Sequence, residues 1–67
     1  MDFVEVYGIM KRGGTVFQKS KPEELYSAVF DARNKKYMIF VNGNALGNDA
    51  DWESVFQCNE WEVYNDV

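Results

Sequence analysis

Apolar positions along this chain come in short runs with two different spacings. In residues 2–9 they alternate: Phe3, Tyr7 and Ile9 fall on one side, Val4 and Val6 on the other. A period of two with apolar groups on both sides predicts a strand covered on two faces. Lys11-Arg12-Gly13-Gly14 then has the character of a hairpin turn, and residues 15–18 that of the returning strand. The spacing changes after Ser20. Ser20 suits a helix cap, Pro22 the first turn, and Glu23 stands at capping-box distance. Leu25, Tyr26, Val29 and Phe30 recur at helical spacing, which predicts a helix over residues 22–33. Arg33, Lys35 and Lys36 complement its negative end, with Asn34 as a left-handed cap.

Residues 36–41 form a near-continuous apolar run and predict a buried strand. A polar loop follows over 42–49. Residues 49–57 predict a second, short helix, capped by Asp49 or Asp51, with Trp52, Val55 and Phe56 on its apolar side. Alternation returns in 60–64, a last strand. The expected order is β-β-α-β-(α)-β. That order predicts an α+β fold spanning 1–67 as one small domain, with a mostly antiparallel sheet and one main helix packed on one face.

Size sharpens this picture. A 67-residue chain buries only about 60% of its unfolded surface, so its stability depends on a dense core or on association. An alternative expectation is a homodimer, as a structural or assembly protein, which that marginal core would favour. The single cysteine, Cys58, excludes an internal disulfide, and the chain has no histidine. Five Phe, four Tyr and two Trp supply the core instead. The longest unbroken apolar run, residues 37–41, is far too short for a spanning helix, and the N-terminus has no export-leader pattern. The expected location is the cytoplasm, without membrane attachment.

Charge adds the functional clue. All seven basic residues fall between Lys11 and Lys36, against five carboxylates in residues 1–36. Residues 37–67 carry six carboxylates and no basic residue. Trp52 and Trp61 lie among those acids. Aromatic anchors inside a charged rim are a pattern of protein interfaces, and the carboxylates would steer a basic partner. The expected partner-binding residues are Asp49, Asp51, Trp52, Glu53, Glu60 and Glu62. The basic set Lys11, Arg12, Lys35 and Lys36 offers an alternative as a nucleic-acid contact, with Tyr7 or Phe17 stacking on bases, although the sequence pI near 4.5 opposes it. Glu60, Glu62 and Asp66 have no local basic partner in sequence; pairing with the first half would erase the asymmetry on folding.

Catalytic patterns are sparse. Without histidine, no Ser-His-Asp or Cys-His pair can form, and Gly13-Gly14 lacks the spacing of a phosphate loop. Counted as a calcium loop from Asn42, Gly47 and Glu53 fall correctly, but Leu46 occupies a ligand position. Asp49, Asp51 and Glu53 as a magnesium site would require clustered like charges that solvation explains more simply. The expectation is a non-enzymatic protein without cofactor or metal. Small size, acidity and the lack of catalytic groups resemble the general type of small inhibitors made by phages and mobile elements. Carboxylates on a small rigid body also imitate the spacing of phosphates, so the expected role is a nucleic-acid mimic that occupies a basic surface on a nucleic-acid-handling protein.

Overall fold

In a computed structural model of the chain, which describes residues 1–66, the first element is a helix. This helix, α1, spans Phe3–Lys11. The Asp2 side chain accepts a hydrogen bond from the Glu5 backbone N–H at 3.0 Å and caps it. Phe3, Val6, Tyr7 and Met10 recur at i, i+3, i+4 and i+7, and Val6 and Met10 are fully buried. The alternation that predicted a strand over 2–9 is therefore incidental to a helical stripe. Gly13 and Gly14 do not form the expected hairpin turn. They terminate α1: the Gly14 N–H donates to Ile9 O at 2.9 Å and the Gly13 N–H to Met10 O at 3.0 Å. This cap needs φ of 102° at Gly13, a value glycine adopts readily.

Two strands follow, β1 (Thr15–Gln18) and β2 (Lys21–Asp31), joined by a tight turn at Lys19-Ser20. The helix expected over 22–33 is thus a long strand. Its cause is tertiary: β2 is paired on one side by β1 and on the other by β3 (Lys36–Val41). Two flanking ladders outweigh a capping signal worth about 1 kcal/mol. Pro22 is tolerated near the start of β2, outside the β3 ladder that runs from Tyr26 to Asp31. Arg33, Lys35 and Lys36 accordingly complement no helix end. Arg33 and Lys35 belong to the β2–β3 connection, where Lys35 rather than Asn34 is left-handed, at φ 55°. Asp31 organises that connection, accepting from the Arg33 N–H at 3.0 Å and from the Asn34 side-chain amide at 2.7 Å. These bonds, the Asn34 amide foremost, hold the Asp31 carboxyl below its ordinary pKa.

The polar loop expected over 42–49 begins with a hairpin. Asn42 and Gly43 both have positive φ, and β4 (Asn44–Ala45) returns along β3. The Asn42 side chain also ties down β2, accepting from the Leu25 N–H at 3.0 Å. The second helix is as expected: α2 spans Trp52–Gln57, and Asp51 caps it by accepting from the Ser54 N–H at 3.2 Å. The last strand, β5, spans Trp61–Asn65.

The five strands form one antiparallel sheet in the order β4-β3-β2-β1-β5. The fold is α+β, with the main helix packed against the sheet as expected, but that helix is α1. The observed order is α-β-β-β-β-α-β. Val6, Ile9 and Met10 from α1 meet Val16, Tyr26, Ile39 and Trp61 from the sheet and Val55 from α2. Each such aliphatic or aromatic side chain contributes roughly 1.5–3 kcal/mol on burial. No helix among the described residues is long and apolar enough to cross a membrane.

Candidate functional site

The aromatic residues assemble into a continuous chain on the helical side of the sheet. Phe3 and Tyr7 stack along α1, with ring centroids 5.5 Å apart. Phe3 meets Phe56 of α2 edge-on at 5.0 Å, and Phe56 stacks on Trp52 at 5.6 Å. In the other direction Tyr7 meets Tyr37 at 6.3 Å, and Tyr37 meets Phe30 at 5.2 Å. Between α1, α2 and β3 every member of this chain but Phe30 lines an open groove of about 520 Å³, bordered also by Leu46, Lys36 and Asn48. That volume falls in the range of ligand-sized clefts. Trp52 is half-buried, its indole N–H donating to Gly47 O at 3.0 Å, while Phe56 is 55% exposed. The ring of Trp52 is thereby oriented, and the outer face of the pair is open to solvent.

The acidic residues divide into two groups. Asp49, Asp51 and Glu53 gather at the start of α2, beside the Trp52–Phe56 pair, and all are exposed. Asp51 is committed to the cap, and Glu53 accepts from the Gln57 side-chain amide at 3.4 Å. No basic side chain bridges these three among the described residues. Glu60 lies beyond α2, where its backbone carbonyl accepts from the Lys19 N–H. Glu62 pairs in register with Phe17, on the sheet face opposite the Val16–Val63 and Gln18–Trp61 pairs, and bridges to Lys19 at 3.5 Å. The structure brings Asp49, Asp51, Trp52 and Glu53 together; it does not bring Glu62 to them.

Part of the charge asymmetry is erased on folding. Besides the Lys19–Glu62 pair, Arg12 grips Asp66 through two bonds of 3.1 and 2.8 Å, which keeps its guanidinium charged. Arg12 is therefore engaged within the chain. Lys11 lies over the ring of Tyr7 at 4.7 Å from the centroid. Lys36 borders the groove where β3 passes it but stands in register with Asp31, on the side of the sheet away from the helices, and Lys35 belongs to the β2–β3 connection.

Trp61 is core: it is 1% exposed, edge-on to Tyr26 at 4.9 Å, and its indole N–H has no acceptor in reach. Among the described residues no three His, Cys, Asp or Glu side chains converge into a metal-binding set. Sequence reasoning missed Phe3, Tyr7, Tyr37 and Phe56 as one surface. The available signal was the i, i+3, i+4, i+7 stripe from Phe3 to Met10, with Asp2 as its cap. No family model, curated protein or solved structure matches this chain.

Proposed function

We propose that this chain is a non-enzymatic binding protein that captures a basic surface on another protein. The observation that carries the reading is the stack of half-buried Trp52 on exposed Phe56, flanked by Asp49, Asp51 and Glu53, three carboxylates without a basic partner among the described residues. The stack offers an apolar anchor already ordered by the Gly47 bond, so little side-chain entropy is lost on docking. The carboxylates steer the approach of positive charge and reject acidic partners. A basic surface evolved to hold phosphates fits this arrangement, so the partner class is a nucleic-acid-handling protein, which the chain inhibits by occupying that surface in the cytoplasm. Glu60, Glu62 and the Lys19 pair lie outside this ridge and extend the acidic margin at most.

The test is capture from the native host with wild-type bait and with the double variant Asp49→Lys, Glu53→Lys, which spares the Asp51 cap. Wild type is expected to retain a basic protein that duplex DNA or RNA displaces, and the variant to lose it. Identical capture by both baits at low salt sinks the reading. A second reading, direct contact with nucleic acid, is favoured by one observation: Lys11 lies over Tyr7, which meets Tyr37 edge-on at one end of the aromatic chain. A gel shift with random DNA and RNA at low salt separates the two, since protein capture predicts no shift.

A further inference from the structure

Both helices pack on one face of the sheet, and the other face is also apolar. The pairings Val29–Met38 and Ser27–Phe40 alternate with pairings that bury Tyr26 and Ile39, so these side chains point away from the helices. Phe17 and Leu25 share their side, by alternation with Val16 and Tyr26. Phe17, Leu25, Met38 and Phe40 take no part in the packed core, and Val29 and Tyr64 are 53% and 64% exposed. The shortest dimension of the molecule is 20 Å, the depth of one sheet and one helical layer. Contiguous apolar surface of this kind marks an interface.

We infer that this helix-free face packs against the same face of a second copy, forming a two-sheet sandwich. Charge complementarity argues for a copy of this chain. The protein carries a net charge of −4, yet the carboxylates without basic partners at α2 lie on the opposite side. The helix-free face is ringed by opposite charges at both ends, Asp31 facing Lys36 across β2–β3 and Lys19 bridged to Glu62. A two-fold axis brings such mixed rims together without uncompensated repulsion. Area bears on the strength of the pair. The strands hold 4, 11, 6, 2 and 5 residues, and at about 3.4 Å per residue and about 4.8 Å between strands they give a planar footprint of roughly 460 Å². That is below the roughly 800 Å² per partner of a standard interface and suits a weak, concentration-dependent dimer.

The test is molar mass by light scattering and sedimentation across a dilution series from about 1 to about 500 µM. Wild type is expected to move from 7.8 kDa towards twice that mass and stop. Val29→Lys, at an exposed position, is expected to raise the midpoint concentration roughly 100-fold with an unchanged circular dichroism spectrum. Val4→Lys, on the exposed side of α1, is expected to leave the midpoint in place. A monomer throughout, a mass that climbs past two copies, or equal midpoints for Val29→Lys and wild type overturns the inference. A readout that does not depend on losing association uses Ser27→Cys in a Cys58→Ser background. Under mild oxidation it is expected to form a linked dimer faster than Glu53→Cys in the same background; equal rates overturn it. This inference stands apart from the proposed function of α2, which faces outward in the sandwich.

Discussion

The two faces of the sheet are built from the same kinds of residue and have opposite fates. On the helical face, Val16, Tyr26, Ile39 and Trp61 are at most 7% exposed. On the other, Leu25, Met38 and Phe40 are only partly covered and Val29 is half exposed, although each sits one residue from a core position. Alternation alone cannot say which face receives a helix, since both faces of β2 and β3 are apolar. What separates them is the placement of α1 and α2. Stability is thus concentrated on one side, and capacity for association on the other.

The sharpest way to break the contrast is to empty the helical face. Trp61→Ala removes the largest fully buried side chain. The expected loss is about 3–5 kcal/mol, enough to unfold a domain of this size, and urea titration measures it. A wild-type midpoint would place the core elsewhere. Next comes the seam where α1 turns into β1. A methyl group on Gly14 would strike the Ile9 side chain and lie 2.9 Å from Asn65 O. Gly14→Ala is expected to cost about 1–3 kcal/mol through overpacking, read as a lower thermal midpoint.

A smaller effect sharpens the comparison through pH. Burial, then Glu24 and Cys58, raises the Tyr26 pKa above its ordinary value of 10.0. The neutral phenol is favoured in the folded state, so this stabilisation is complete below about pH 10 and is lost as pH rises through the folded pKa. Alkaline melts are expected to show a downturn beginning near pH 10 that Tyr26→Phe reduces; an identical downturn in both proteins would assign it to other groups. On the helix-free face, Val29→Lys is expected to change the stability of the single chain by no more than about 0.5 kcal/mol. Its effect belongs to the concentration dependence instead.

The architecture was legible in the sequence at the level of class, and so were the elements of the second half except β4, which falls in the expected polar loop. Asp51 as a cap, the strand after Lys36 and the strand around Trp61 all depend on local signals that tertiary structure left unopposed. The first half inverted. Residues 3–11 satisfy a period of two and a period of 3.6 at once, because Phe3, Val4, Val6, Tyr7, Ile9 and Met10 crowd a short segment. Residues 21–31 imitate a helical stripe because β2 is apolar on both faces. The acidic ridge at α2 was legible, since Asp49, Asp51, Trp52 and Glu53 are neighbours in sequence. The aromatic groove was not, because it joins residues from α1, β3 and α2 that only the fold brings together.

The position of β5 has a consequence for synthesis. β1 lies next to β5 in the sheet, yet more than forty residues separate them along the chain. While the polypeptide is still emerging, the β2–β3 hairpin can zip from local contacts alone. The site beneath α1 waits for Trp61, and the edge of β1 stays unpaired until the strand that carries Trp61 arrives. A nascent chain halted before that point exposes an unsatisfied edge together with two apolar sheet faces, the combination most prone to wrong partners. β5 therefore acts as a latch, and assembly of the helical layer is timed by the arrival of Trp61 rather than by the order in which the helices appear.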